Sequence, residues 1–132
     1  AAEHPDLVER LFEPFQRDRR DEEQAGEAKY VDIAPCQMGA DGVLRTFYHS
    51  EYFRSAARLP DVTIDDAAMR IMDFYDEKCL SPEFHLDMWL EPGDMQFISN
   101  HTTLHSRTAY EDWPEPDRRR HLLRLWLSFE GR

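Results

Sequence analysis

Pro92-Gly93-Asp94-Met95-Gln96-Phe97-Ile98-Ser99-Asn100-His101-Thr102-Thr103-Leu104-His105-Ser106-Arg107-Thr108-Ala109-Tyr110-Glu111-Asp112 leads, after a short interval, into Arg118-Arg119-Arg120-His121-Leu122-Leu123-Arg124-Leu125-Trp126. Glu91 to Asp94 predict a type II turn, because proline pre-sets the φ of the first central residue and glycine accepts the positive φ of the second. Before that turn, Phe84, Leu86, Met88 and Leu90 alternate with His85, Asp87 and Trp89, the period of a strand. After it, 95–99 reads as the return strand of a hairpin, and further strands are predicted over 103–110 and 120–129. In the last of these, Leu123, Leu125, Leu127 and Phe129 fall on one face and Arg120, Leu122, Arg124 and Trp126 on the other. Thr103, His105 and Arg107 share a face of the neighbouring strand, so a histidine and arginines are expected to converge on one pocket.

Upstream of this block the periodicity is helical. Ile64, Ala67, Ala68, Ile71, Phe74 and Tyr75 form one apolar face, and Thr63 with Asp66 three residues on predicts the cap of a helix over 64–78. A second helix is expected over 50–58. Short strands are expected over 30–36 and 43–48, separated by a turn at Gly39 to Gly42. Residues 5–15 predict a short helix ended by Pro14, and the almost wholly charged or small stretch 17–29 reads as an exposed loop with no chemistry of its own. No internal repeat or low-complexity linker interrupts the chain. One domain over 1–132 is therefore expected, with mixed helices and short strands over 1–82 and antiparallel strands over 83–130.

Composition narrows the function classes. The 132 residues contain 41% apolar and 12% aromatic side chains, enough for a core. Sixteen Lys and Arg against 27 Asp and Glu leave a formal charge of −11, which repels nucleic acid and anionic lipid over most of the surface. The local exception, Arg118 to Arg120 with Arg124, points to a small anion or to internal ion pairs. Cys36 and Cys79 lack metal-ligand spacing and are expected to stay reduced, as in the cytoplasm. No apolar run approaches the ~18 residues of a membrane span, and residues 1–4 form no signal core.

As an ordered set, the Pro-Gly-Asp turn, Asn100, the Leu104-His105-Ser106-Arg107-Thr108 stretch and the Arg119-Arg120-His121-Leu122-Leu123-Arg124 strand resemble the C-terminal signature of the taurine dioxygenase and clavaminate synthase-like oxygenases. The resemblance covers mainly 83–128, with a looser match back to about Tyr30. It implies the C-terminal part of a double-stranded β-helix, a cupin-like jelly roll that is mainly β with flanking helices. It also implies iron(II) as cofactor, held by an early His-x-Asp pair and a distal histidine, with 2-oxoglutarate as cosubstrate and a small organic molecule as substrate. His105 matches the distal histidine. Arg124 matches the clamp for the far carboxylate of 2-oxoglutarate, with Arg120 on the same face as its helper; a guanidinium binds a carboxylate bidentately where an ammonium cannot. Two imidazoles and one carboxylate on one face of an octahedral ferrous ion leave room for a bidentate 2-oxo acid and oxygen.

No His-x-Asp pair with the family's placement precedes His105. His85-Leu86-Asp87 has the letters but too few strands between it and His105, and His49-Ser50-Glu51 opens a predicted helix. The chain is accordingly expected to be a C-terminal part, completed by an N-terminal half of the β-helix or by another chain, a second copy of itself included. Asn100, Arg107 and Trp126 are candidates for lining the pocket, though sheet packing accounts for each equally well. His101 has ligand spacing to His105 only on a helix, and His121 has the wrong parity. Arg118 and Arg119 are expected to form ordinary surface ion pairs with Asp112, Glu115 or Asp117. Two other readings stay open: a non-catalytic jelly-roll module binding a small anion or a partner, and a zinc site built from His85, Asp87 and His105.

Overall fold

Phe53 and Met72, each 1% exposed, mark the centre of the core of this computed structural model, which describes residues 4–128. Around them pack Leu7, Phe15, Ala68 and Ile71, with Leu11, Ile33, Tyr48, Ile64, Ala67 and Tyr75 closing the periphery. The elements that supply these side chains are strands β1 (Phe15–Asp18), β2 (Tyr30–Ile33), β3 (Cys36–Met38) and β4 (Leu44–Thr46) and helices α1 (Ser50–Arg54) and α2 (Asp66–Cys79). Single 3-10 turns occupy Pro5–Leu7, Glu9–Phe12, Ser55–Arg58 and Pro116–Arg118.

Helix α2 presents Ala68, Ile71 and Met72 to the core, flanked by Ala67 and Tyr75, so its apolar side runs at the expected helical spacing. Its cap differs from expectation: Asp65, not Thr63, accepts a hydrogen bond from the Ala68 amide at 2.6 Å. The same carboxylate accepts from Arg10 Nη2 at 3.1 Å, so it satisfies an unpaired helix amide and ties the N-terminal turn to the helix. Lys78 in the last turn complements the helix dipole.

The strands form two separate antiparallel pairs, β1 with β2 (Phe15 opposite Ile33) and β3 with β4 (Cys36 opposite Thr46). The single strand expected over 30–36 is divided because Pro35, which has no amide to donate, sits between β2 and β3. Its carbonyl instead accepts from Thr46 Oγ1 at 3.0 Å and from the Phe47 amide at 2.9 Å, bridging to the end of β4. Gly42, at φ +74°, makes the β3–β4 turn where a side chain would be strained.

The stretch expected to be a plain loop begins with β1 and contains the most deeply buried charge. Asp18 is 0% exposed. It accepts from Arg58 Nε at 2.7 Å, from Arg58 Nη2 at 3.0 Å and from the Arg20 amide at 2.8 Å. Arg58 holds its carboxyl far below the usual range, against the opposing effect of burial. Beyond it, Arg20 and Asp21 both adopt positive φ, 57° and 63°, in a turn closed by the Glu22 amide donating to the Arg19 carbonyl at 3.1 Å. Two consecutive non-glycine residues in this region are held there by ion pairs from Asp21 to Arg58 and Lys29 and from Arg20 to Glu51.

Residues 83–128 form no strand, which corrects the expectation of antiparallel strands there; Phe129, the last position of the final predicted strand, lies outside the described residues. The type II turn is present, with Gly93 at φ +102° and the Asp94 amide donating to Glu91 at 3.0 Å. The segments on either side of it meet through the Gln96 side-chain amide and the Met88 sulfur at 2.7 Å but do not pair as strands. Their alternating apolar side chains are solvent-exposed, Leu123 at 83% and Leu125 at 84% among them. A strand is stabilised by a ladder of a neighbour's backbone groups and by a covered apolar face, and among the described residues this arm has a single such bond, from Thr46 to His101, and no covered face. With strands of three or four residues and a 14-residue helix, the described chain is mixed rather than mainly β. Its short antiparallel sheets and helices are compatible with part of a cupin-like domain, and no closed jelly roll is formed among them.

Arg58→Ala is expected to destabilise the chain by about 3 kcal/mol, because it strands a buried carboxylate. Asp18→Asn is expected to cost only about 1–2 kcal/mol, because the amide keeps the Arg20 contact and Arg58 is half in water. Urea denaturation checks the order, and an Asp18→Asn cost equal to or above that of Arg58→Ala would contradict it. Since the Asp18 pKa is depressed on folding, its contribution is complete above the unfolded value of about 3.9 and is lost as pH falls through that value and below. Asp65→Ala should cost about 1–2 kcal/mol and Thr63→Ala almost nothing in the same assay.

Candidate active site

The arm that carries the sequence motif is joined to the folded half through β4, where the Thr46 amide donates to the His101 carbonyl at 2.9 Å. Around this point the Thr102 and Thr103 amides donate to the Ser99 carbonyl at 3.2 and 3.0 Å, which turns the chain. His101 thus acts through its backbone. His105 follows four residues later, exposed, and its ring makes no hydrogen bond, ion pair or ring contact among the described residues.

Tyr110 gathers two of the arginines. Arg107 lies 4.6 Å from its ring centre and Arg120 lies 5.0 Å from it, while the Arg120 amide donates to Asp112 at 3.0 Å. Of Arg118 and Arg119, both expected to form surface ion pairs, only Arg118 does so among the described residues. Arg118 stacks on Trp113 at 3.4 Å and faces Glu115 at 3.9 Å, and Arg119 donates to the carbonyls of Trp113 and Pro114 at 3.2 and 2.9 Å. Arg124 is exposed and unpaired among the described residues, as is the indole of Trp126 beside it in the predicted face. Arg120 and Arg124 are therefore open to an anionic ligand.

The other histidines are engaged elsewhere. His85 Nε2 lies 3.4 Å from Asp87, and its Nδ1 is 2.8 Å from the Ser81 carbonyl. His49 packs edge-on to Tyr52 at 4.5 Å, while Glu51 pairs with Arg20 at 3.0 Å. No three His, Cys, Asp or Glu side chains are assembled to hold a metal among the described residues, so neither a three-ligand iron site nor the His85, Asp87 and His105 zinc site is built from them. One imidazole does not fit an octahedral ferrous ion unaided.

Sequence reasoning missed the best-built polar cluster. Asp76 accepts from Tyr48 at 2.8 Å, Ser50 at 2.9 Å and Arg54 at 2.7 Å. Burial pushes its carboxyl up, and the hydrogen bonds from Arg54, Tyr48 and Ser50 outweigh this and leave it below its ordinary value. Beside it Tyr75, stacked on Tyr48 at 4.6 Å, bonds Cys36 Sγ and Thr46 Oγ1 at 3.2 and 3.0 Å. Burial raises both phenols, and raises Cys79 as well, so these groups are poor acids, and the Tyr75 bonds join helix α2 to the hairpin. A polar residue one position beyond the apolar face of α2, Asp76 after Tyr75, was the available signal. Cys36 and Cys79 are both free thiols. No helix among the described residues is long and apolar enough to cross a membrane.

Comparison with known proteins places the chain in a family. The family described as taurine catabolism dioxygenase TauD, TfdA family matches residues 1–126, and the chain belongs to that family, whose members are oxygenase-type enzymes generally dependent on iron(II) and 2-oxoglutarate. A particular relative, the FR-33289 synthase of Streptomyces rubellomurinus (strain ATCC 31215), is 33% identical over 136 residues, a match that takes in 98% of this chain. The chain spans 39% of the length of that relative.

Because neither side chain is used in the fold described above, His105→Ala and Arg124→Ala should each leave the unfolding free energy within about 0.5 kcal/mol of the parent chain. Larger losses in chemical denaturation would mean that the arm is packed rather than exposed.

Proposed function

We propose that this chain carries the distal histidine and the arginine strand of an iron(II)- and 2-oxoglutarate-dependent oxygenase, one that hydroxylates a small organic substrate with decarboxylation of 2-oxoglutarate. The observation that carries this reading is the family match over 1–126, a span within which His105, Arg120 and Arg124 fall. His105 is assigned as one iron ligand. Arg124, helped by Arg120, is assigned to the far carboxylate of the cosubstrate, a role favoured by the absence of any carboxylate partner for either guanidinium among the described residues. The two remaining ligands come from polypeptide outside these residues, either the rest of a longer β-helix or another chain. The exposed apolar arm supports this, since it leaves large apolar side chains for such a partner to cover. Free thiols suit a reducing, cytoplasmic setting.

A second reading, a non-catalytic module that binds a small anion or a partner, is favoured by the lack of a three-ligand cluster among the described residues. The two part on metal content. In protein that includes the polypeptide supplying the other ligands, His105→Ala is expected to lose bound iron, and unchanged iron would remove His105 from the site. Titration calorimetry with 2-oxoglutarate is expected to show Arg124→Ala weakened by about 1.5–3 kcal/mol and Arg118→Ala hardly at all, because Arg118 is an exposed, locally paired side chain. Equal losses would sink the assignment of Arg124.

A further inference from the structure

Arg17 departs from the electrostatic pattern of the folded half. Every other arginine from Arg10 to Arg70 has an aspartate or glutamate oxygen between 2.7 and 3.1 Å away. Arg17 has none, in a chain whose formal charge is −11. Its Nε is buried without a hydrogen-bond partner, and no other N–H of its guanidinium finds an acceptor among the described residues.

Its position explains how it is held. Phe15 and Arg17 share a face of β1, because strand side chains alternate, and Phe15 enters the core. Arg17 therefore points to the core side at the rim, where its guanidinium lies 4.5 Å from the ring centre of Tyr52 and 5.9 Å from that of Phe47. Ring faces stabilise the cation and fix its plane, but they accept none of its in-plane N–H donors. The result is an oriented fork with its aromatic support in place and its acceptor missing, and bidentate oxyanions fit such a fork. Phe47 directly follows Thr46, whose amide holds the His101 carbonyl, so the rim adjoins the attachment point of the arm.

We propose that Arg17 anchors an oxyanion group, carboxylate or phosphate, of a small-molecule ligand at the rim formed by Phe47 and Tyr52. The inference does not rest on the oxygenase reading, because it uses neither the iron ligands nor Arg120 and Arg124. The test is a titration of the 132-residue chain with succinate and with inorganic phosphate at constant ionic strength, following arginine Nε–H signals by NMR. The Arg17 signal, assigned by its disappearance in Arg17→Gln, is expected to shift saturably with at least one anion while that of Arg70, an exposed ion-paired control, stays in place. Calorimetry should then show binding weakened about tenfold or more in Arg17→Gln and less in Arg17→Lys, which keeps the charge but not the fork. An unmoved Arg17 signal, equal shifts at Arg70, or the same shifts with sodium chloride would overturn the proposal. The parent titration decides the matter alone if Arg17→Gln alters the thermal midpoint. An Arg70→Gln chain should bind both probes as the parent does, and because the readout is the Arg17 signal itself, failure of the cosubstrate assignment leaves a distinct result.

Discussion

A carboxylate withdrawn entirely from water sets the terms for the N-terminal half. Asp18 remains charged because Arg58, forty residues later, closes a two-pronged pair on it and the Arg20 amide takes a further lone pair. The pair costs desolvation on one side only, since Arg58 keeps contact with solvent. It brings the end of β1 against the turn that follows α1, and between them sits Phe53, with Phe15 edge-on to it at 6.0 Å. The left-handed turn at Arg20 and Asp21 is a consequence, because Arg58 also reaches Asp21 and leaves that backbone little freedom. Charge pairing and aromatic packing therefore specify the same arrangement.

The arm has the opposite character. Its residues include the motif that resembles the family's signature, yet they contribute little to the core, and one backbone hydrogen bond to Thr46 links its middle to β4. The family match spans both halves, whereas the buried core lies in the first. The folded half supplies a scaffold and a polar cluster around Asp76; the arm supplies an imidazole and guanidinium groups still open to ligands. A site of this kind is completed by contact, and its precision comes from whatever covers the apolar face.

How much was legible follows from where the physics is local. The turn at Pro92-Gly93 needs only two residues with known backbone preferences, and it formed as expected; the apolar face of α2 needs only its own spacing. The cap moved from Thr63 to Asp65 because Arg10, from a distant turn, adds a second partner there. Pro35 was visible in the sequence as a missing donor, though which strand each flank would join was not. Asp18 looked like one more charge in a charged loop, since burial by a residue forty positions away leaves no local mark. The strands of the arm were read from a true alternation, but pairing depends on a neighbour that alternation does not name. The motif itself was legible as a family signature, while the placement of His105 apart from other ligands was not.

The exposed apolar side chains of the arm carry a consequence for the chain in solution. Leu86, Trp89, Leu123 and Leu125 would draw separate molecules together. The excess of acidic residues opposes this through mutual repulsion between molecules. Colloidal stability here is a balance between one hydrophobic segment and a whole-surface charge, so it narrows as acidification brings the chain towards its isoelectric point. Added salt acts in the same sense by shortening the reach of the repulsion while leaving the apolar contact intact.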